Sequence, residues 1–346
     1  MTADASKRRR STRGAAALTE LAERIVKGDS VLLITGAGLS VASGVRPFRS
    51  QTATRTTATP TKNGVVPCAG LWNDVIWSTA TREAFRKDPL AWYNEFWLPH
   101  FNEEYQPNVG HECIQKIQAD FPNVEQITQN IDGLQPPSSQ MIEAHGRVGL
   151  YKCVPDDDSD TDSDSDDEED RQVHLGHRRK TRNLTERLKN PMTCPYQYLQ
   201  SLPASQVESD EVREVLMSRP EPSQRLPDVP RCPVCDSNLL PQALLFDEGY
   251  HSHSYYQFER AEEWMEDCDA LVLIGTSCSV RLTTVALDHA RAHGIPVYNF
   301  NLHDPIESTS RLNVSNILGP AIETLPKLWE ACEEARRARK ARRTPV

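Results

Sequence analysis

The chain has 346 residues, of which 38% are apolar and 25% are charged, and its formal net charge is −10. This length allows one large domain with insertions, or two domains. No apolar run approaches the ~20 residues of a membrane-spanning helix, and the N-terminus lacks the apolar region of a secretory signal. We therefore expect an intracellular, reducing setting, in which the nine cysteines are metal ligands or buried thiols rather than disulfides.

Strands and helices alternate along most of the sequence. The candidate strands, which are short runs containing β-branched residues, are Val31–Thr35, Val124–Thr128, Met141–Ala144, Ala270–Ile274, Pro296–Asn301 and Val314–Leu318. Helical patterns cover Ala15–Lys27, Val109–Ala119, Tyr255–Asp267, Leu282–His293 and Ala321–Arg337. This alternation predicts an α/β fold with a doubly wound parallel sheet, whose ligands bind at the carboxyl ends of the strands.

Two regions interrupt the alternation and are interpreted as insertions. Residues 51–108 end in an aromatic-rich helical stretch, whose aromatic side chains we expect to form a small core. Residues 151–245 contain the tract 156–170, in which eleven residues are acidic; without them the net charge would be +1. Like charges at this density repel and bury nothing, so we predict disorder over 155–171, with binding of a basic, histone-like tail as the alternative.

Basic clusters lie near both ends of the chain. Lys7–Arg10 fall within a predicted disordered N-terminus, residues 1–14, and residues 336–346 form a basic tail that follows a domain spanning 15–335. Such clusters are typical of nuclear import signals or nucleic-acid contacts. We expect a nuclear rather than cytoplasmic location, and no direct nucleic-acid binding beyond these ends.

Small and polar residues lie at the ends of the first five predicted strands. Gly36-Ala37-Gly38 follow the first strand, where a helix N-terminus and close backbone approach would suit a pyrophosphate. Val41 stands where the usual dinucleotide-binding fingerprint has its third glycine, and no acidic residue that could bind the ribose hydroxyls follows until Asp74. Both differences disfavour a hydride-transfer enzyme. Later strands end at the sites Gln129-Asn130-Ile131-Asp132-Gly133, His145, Gly275-Thr276-Ser277 and Asn301. Each alone could be an ordinary turn or a structural histidine, but together they predict one nucleotide site.

These motifs, in this order, resemble those of the sirtuin family. The matching stretches are GAGLSVASGVRPFRS (36–50), TQNIDGL (128–134), EAHG (143–146), GTSCSV (275–280) and NFN (299–301). The likeness covers roughly residues 18–330 but leaves out 155–230. It implies a Rossmann-like domain with a smaller zinc-binding and helical module. It also implies an NAD-dependent protein-lysine deacylase, which consumes NAD and forms nicotinamide and O-acyl-ADP-ribose.

The resemblance also implies roles for individual residues. Asn130 and Asp132 would bind the nicotinamide ribose and amide, and His145 would be the general base that deprotonates the ribose. Phe48 and Arg49 would belong to a loop that closes over NAD. The other residues implied in NAD binding are Gly36, Ala37, Gly38, Ser40, Gln129, Ile131, Gly275, Thr276, Ser277 and Asn301.

Two departures from the family pattern concern the substrate. Pro47 stands where the family has an acid, and Phe246-Asp247-Glu248 stand where it has Phe-Gly-Glu in the strand that binds the acyl-lysine peptide. We expect Asp247 to place a side chain and a negative charge on that segment. The alternatives to a deacylase are therefore a protein mono-ADP-ribosyltransferase and a catalytically weak NAD- or histone-binding module.

The zinc site implied by the resemblance needs two pairs of cysteines. Cys232 and Cys235 form one Cys-x-x-Cys pair, and Cys153 stands at the first position of the other, but Asp156 occupies its partner position. We predict a structural zinc site of Cys153, Cys194, Cys232 and Cys235, with the acidic tract inserted between the first two ligands. Such an insertion is tolerable because loop closure costs only about 0.6 kcal/mol per doubling of length. His174 or His177 in place of Cys194, and loss of zinc, are the alternatives.

Overall fold

The computed structural model describes residues 2–46, 74–101, 104–154, 194–218, 224–303 and 312–343. The chain divides into two compact units. The first unit is drawn from Met1–Trp72, Tyr105–Glu143 and Glu259–Val346, and the second from Asn73–Glu104 and Ala144–Phe258. Parts of the predicted helical insertion and of the predicted zinc module thus belong to the same unit.

The first unit contains a six-stranded parallel sheet, as the alternation of elements predicts. Its strands are β1 (Val31–Thr35), β2 (Val124–Thr128), β3 (Met141–Glu143), β7 (Ala270–Ile274), β8 (Val297–Asn301) and β9 (Val314–Leu318). The strand order is β3-β2-β1-β7-β8-β9, and every neighbouring pair is parallel. The order reverses between β1 and β7, which is where doubly wound sheets bind their ligands. The predicted fold class is confirmed.

Five helices belong wholly or largely to the first unit. They are α1 (Thr2–Lys27), α6 (Val109–Asp120), α8 (Phe258–Asp267), α9 (Arg281–His293) and α10 (Ala321–Arg343). Leu21, Ile114 and Leu325 are fully buried, and they join strand residues such as Val272 in one apolar core. Burial of this stripe stabilises the helices against the sheet far more than their propensity does.

The two terminal helices are longer than the sequence predicts. Helix α1 begins at Thr2, within the segment 1–14 that we expected to be disordered, and α10 continues to Arg343, within the predicted basic tail. The physical reason is composition, since alanine, arginine and lysine are strong helix formers. None of the helices in the described ranges is long and apolar enough to cross a membrane.

The second unit combines short helices with a small antiparallel sheet. Its strands, β4 (Gly146–Cys153), β5 (Leu202–Pro203) and β6 (Leu239–Ala243), lie in the order β5-β4-β6. Its helices are α2 (Asp74–Thr79), α3 (Arg82–Lys87), α4 (Pro89–Ala91), a π-helical turn (Trp92–Trp97), α5 (Leu98–Phe101) and α7 (Asp210–Ser218). This sheet was not predicted from the sequence.

The aromatic core that the sequence predicts for the helical stretch is present in the second unit. Phe85, Trp92, Tyr93 and Trp97 are buried, and Trp92 contacts each of the other three rings. The hydroxyl of Tyr93 donates a hydrogen bond of 2.8 Å to the carbonyl oxygen of Leu239 at the start of β6. This hydrogen bond links the aromatic stretch to the small sheet and gives the buried hydroxyl of Tyr93 a partner.

Candidate functional site

The turns that follow β1 and β7 pack backbone against backbone. The amide of Gly36 donates to the carbonyl of Ile274 at 2.9 Å, and the amide of Gly38 donates to the carbonyl of Gly275 at 2.8 Å. A Cβ atom on Gly38 would lie 2.6 Å from Cα of Gly275, and Gly275 itself has a φ of +60°. The glycines that the sequence analysis assigned to phosphate approach are therefore also required by the contact between the two turns.

Gly38→Ala is expected to lower the free energy of unfolding by about 1–3 kcal/mol, the usual cost of inserting a methyl group where there is no room. Urea denaturation of the purified protein measures this. Gly249→Ala is a matched control, because no atom lies within 4 Å of the position that its Cβ would take. Equal stability of Gly38→Ala and the wild type would contradict the close contact between the turns.

A buried hydrogen-bond cluster surrounds Ser40. The Ser40 hydroxyl is inaccessible to solvent and donates to Oδ2 of Asp132 at 2.7 Å. Nδ2 of Asn130 donates to the Ser40 hydroxyl and to the carbonyl of Gly36, both at 3.1 Å. The structure thus brings together three of the residues that the sequence predicts in NAD binding or catalysis. It fixes their polar groups before any ligand binds.

His111 completes the cluster and was not predicted from the sequence. Its Nδ1 accepts the backbone N–H of Asn108 at 3.1 Å, so in the neutral ring the proton is on Nε2, which lies 3.3 Å from the Ser40 hydroxyl. Burial lowers the pKa of His111, opposed by the nearby charge of Asp132. Neutral His111 therefore donates to Ser40, which in turn donates to Asp132. The available signal was the capping-box spacing Asn108-x-x-His111 at the start of α6.

A second group of predicted residues lies at the ends of β2, β7 and β8. The Thr276 hydroxyl donates to Oε1 of Gln129 at 3.4 Å, and Nδ2 of Asn301 donates to the Thr276 carbonyl at 2.7 Å. Oδ1 of Asn301 accepts the amide of Leu302 at 2.9 Å, so the side-chain amide makes one backbone hydrogen bond at each end. Ser277 is exposed in the same turn.

Ala37 and Ile131 are half-buried in the first unit, close in sequence to the Ser40 cluster. Phe48 and Arg49, which the resemblance assigns to a closing loop, lie outside the described residues. The roles of Phe48 and Arg49 in closing over NAD therefore stay predictions.

His145 belongs to the second unit and lies between β3 and β4. Its Nε2 is 3.0 Å from the hydroxyl of Tyr250, and its backbone carbonyl accepts the amide of Leu244 at 2.9 Å. The side chain is half-buried. A histidine in this setting is held at both backbone and ring, which suits a general base that must be oriented.

The three residues of the predicted substrate segment have different surroundings. Phe246 is 42% exposed, and its ring centroid lies 4.4 Å from that of Trp77, which is 46% exposed. Its amide donates to the carbonyl of Ala80 at 3.1 Å. This segment therefore offers an exposed aromatic surface at Phe246.

Asp247 and Glu248 are occupied by internal contacts. The carboxylate of Asp247 accepts the backbone N–H groups of Arg82 and Glu83, at 2.8 and 3.1 Å, and so caps the first turn of α3. Residue 247 is exposed, and the carboxylate that we expected to place a charge on the substrate segment is held there by the N-terminus of α3. Glu248 is buried and paired with Lys152, whose Nζ lies 2.7 Å from each carboxylate oxygen.

The four predicted metal ligands lie together in the second unit. The sulfur atoms of Cys153, Cys194, Cys232 and Cys235 are all within 4.8 Å of one another. Three of the separations are 3.7 Å (Cys153–Cys194), 3.6 Å (Cys153–Cys235) and 3.7 Å (Cys194–Cys232). Tetrahedral zinc with Zn–S bonds of ~2.3 Å places its sulfur atoms roughly 3.8 Å apart, so the cluster fits this ion.

The chemistry of the four thiols also fits zinc. Burial raises the pKa of Cys153, and it raises that of Cys194 to about 12, so without a cation both thiols stay protonated at neutral pH. A zinc ion favours the thiolate forms. The backbone N–H of Val234 points to the sulfur of Cys232 at 3.4 Å and would stabilise the thiolate. The four-cysteine prediction is confirmed as a candidate zinc site, while His174 and His177 lie outside the described residues.

Solved structures share this fold. A chain from a study of the mechanism and regulation of Sir2 enzymes matches with a TM-score of 0.59 and 22% identity, over 92% of this chain and 98% of that one. A Sir2 homologue in complex with NAD matches with a TM-score of 0.55 and 20% identity, over 91% and 94% of the two chains. At these identities the likeness establishes the fold alone.

Sequence comparison identifies the family. The chain is 30% identical over 316 residues to the NAD-dependent deacetylase sir2E of Dictyostelium discoideum, covering 89% of this chain and 75% of that protein. It is 26% identical to an NAD-dependent protein deacylase of Candida albicans, covering 89% and 95% of the two chains. The profile of the Sir2 family matches residues 36–282. With the fold, the nucleotide-side motifs and the cysteine cluster in agreement, this chain belongs to the Sir2 family, the sirtuins.

Proposed function

We propose that the protein is an NAD-dependent protein-lysine deacylase that releases nicotinamide and forms O-acyl-ADP-ribose. The observation that carries this proposal is the buried cluster in which Ser40 is bonded to Asn130 and Asp132. The names of the relatives agree, since they describe NAD-dependent deacetylases and deacylases. A hydride-transfer enzyme has no need of this cluster, and the acidic ribose ligand typical of such enzymes is missing from the sequence.

The carboxylate of Asp132, the imidazole of His145 and the cysteine cluster have different parts in this reaction. The carboxylate of Asp132 is held by the Ser40 hydroxyl on Oδ2 and by the Leu134 amide on Oδ1. A fixed negative charge of this kind stabilises the positive charge that develops on the ribose as its bond to nicotinamide breaks. His145 then accepts the proton of a ribose hydroxyl, so that the ribose oxygen can attack the acyl carbon. The zinc site supports the second unit and supplies no chemistry, because four protein thiolates would fill its coordination.

ADP-ribosyl transfer to protein is the weaker candidate. The sequence kept it open because of the charge at Asp247, but that carboxylate caps α3. No remaining observation favours it over deacylation.

The test is nicotinamide release from NAD with an acetyl-lysine peptide, with the peptide mass followed in parallel. We expect release only when the acylated peptide is present, together with an equal loss of acetyl mass. His145→Ala should lower kcat at least about 100-fold, the usual contribution of a general base. His293→Ala, which changes an exposed histidine on α9, should keep the wild-type rate. A gain of ADP-ribose mass on the peptide, or no turnover with any acyl peptide, would contradict the proposal.

Histones as substrates and a nuclear location are finer parts of the same proposal. The basic clusters in the sequence support nuclear residence, and the tract of eleven acidic residues complements basic histone tails. Acetylated histone and non-histone peptides are compared in the assay above, and higher kcat/KM for the histone peptides is expected. A fluorescent fusion excluded from the nucleus would contradict the location.

A further inference from the structure

Tyr250 contacts the imidazole of His145 within the second unit. Its hydroxyl lies 3.0 Å from Nε2, and the two ring centroids are 5.8 Å apart with an angle of 34° between the planes. A phenol is both a hydrogen-bond donor and an acceptor. It can therefore accept a hydrogen bond from Nε2–H of the imidazole, both in the neutral ring and in the protonated ring.

The position of Tyr250 is set by packing around it. Its ring stacks on Phe258 with centroids 4.4 Å apart and an interplanar angle of 18°, and Phe258 is itself buried. Two residues before Tyr250, Glu248 is held by Lys152 through both carboxylate oxygens. Oε2 of Glu248 also accepts the amide of Leu245 at 2.9 Å, which fixes the start of the segment. The phenol is thus placed by its own neighbours, and the histidine orients toward it.

Tyr250 and the predicted substrate segment belong to one short stretch of chain. Phe246, with its exposed ring, lies at one end of residues 246–250, and Tyr250 lies at the other. Asp247 and Glu248 between them bind α3 and Lys152. A peptide that docks at Phe246 therefore contacts the same segment, residues 246–250, that orients the base.

We propose that Tyr250 is a positioning residue for His145, an inference that rests on the proposed deacylase function. The hydroxyl holds the imidazole in one orientation in both of its protonation states. In this arrangement Nε2–H donates to Tyr250 before and after the step, the ribose hydroxyl gives its proton to Nδ1 of the imidazole, and Tyr250 remains a neutral phenol. The tyrosine itself forms no bond to the substrate and exchanges no proton with it.

Tyr250→Phe is the test, because it removes the hydroxyl and keeps the ring that stacks on Phe258. We expect kcat for deacylation to fall about 10- to 100-fold, the usual effect of losing a hydrogen bond to a group that becomes charged. The KM values for NAD and for peptide should stay within about twofold, since orientation of the base affects the chemical step more than binding. Tyr255→Phe, which removes a different phenol in the same region, is the matched control and should keep both parameters.

A second readout is independent of catalysis. In the protein without substrates, the ¹⁵N chemical shift of His145 Nε2 should change in Tyr250→Phe and not in Tyr255→Phe. Unchanged kcat in Tyr250→Phe, or an unchanged Nε2 chemical shift, would overturn the positioning role of Tyr250. In that case, deacylation by the wild type would still support the proposed function. If the wild type does not turn over NAD, the proposed function fails, and the Nε2 shift still decides whether Tyr250 holds the ring.

Discussion

Lys152→Met should lower the free energy of unfolding by about 3 kcal/mol or more, because it leaves the Glu248 carboxylate buried without its main partner. The side chains of Lys152 and Glu248 are only 4% and 3% exposed. Nζ of Lys152 also donates to the hydroxyl of Tyr256 at 2.8 Å and to the carbonyl of Ala243 at 3.2 Å. Arg82 remains near Glu248, with Nε 3.8 Å from Oε1, so we expect a loss at the lower end of the range for broken buried pairs.

Urea denaturation measures this effect, and the chain offers a matched control. Lys87 and Glu83 form an ion pair of 2.6 Å whose side chains are 71% and 76% exposed. Lys87→Met should therefore change the free energy of unfolding by about 0.5 kcal/mol or less. Adding Glu248→Gln to Lys152→Met should recover part of the loss, because the uncompensated charge is then gone. Similar effects of Lys87→Met and Lys152→Met would contradict the buried pair.

Cys194→Ser should abolish tight zinc binding and cause the second unit to unfold at a lower temperature. A serine hydroxyl is a poor zinc ligand compared with a thiolate, and zinc binding by four-ligand structural sites contributes about 10–16 kcal/mol in small peptides. The acidic insertion separates Cys194 from Cys153 in sequence, and yet their sulfur atoms lie 3.7 Å apart. A bound zinc ion would therefore link two parts of the chain that lie far apart in sequence, and its loss would remove that link.

Zinc content per chain, measured by mass spectrometry of the metal, is the first readout, and thermal unfolding is the second. The wild type should carry one zinc ion per chain, and Cys194→Ser far less. Cys278→Ser changes a half-buried cysteine outside the cluster and should keep the wild-type zinc content. Full zinc content in Cys194→Ser would mean that another residue is the fourth ligand.

The parallel sheet could be predicted from the sequence because its two central strands are nearly continuous apolar runs. Val31–Thr35 and Ala270–Ile274 are buried at every position, as expected for strands covered on both faces. The small sheet could not be predicted in this way. Strand β4 has a partly exposed sequence with two glycines, and its partner β6 lies far along the chain with an irregular register. Neither periodicity nor local turn signals reveal such a pairing.

In the candidate site, too, residues within sequence motifs could be predicted, whereas contacts between distant parts of the chain could not. Ser40, Asn130 and Asp132 could be predicted because each follows an apolar strand in a family motif. The hydrogen bond between Ser40 and His111 could not, since His111 belongs to a helix that begins elsewhere in the sequence. Asp247 was interpreted from its charge alone, and its partners on α3 lie about 165 residues earlier.

The central claim is that the acyl group leaves lysine for ADP-ribose. A peptide with a ¹³C-labelled acetyl-lysine, incubated with NAD and the wild-type protein, tests this directly when all products are analysed by mass spectrometry. The account predicts that the label appears in O-acetyl-ADP-ribose in an amount equal to the nicotinamide released. Label recovered as free acetate from the first turnover, or retained on a peptide that has gained ADP-ribose, would contradict it.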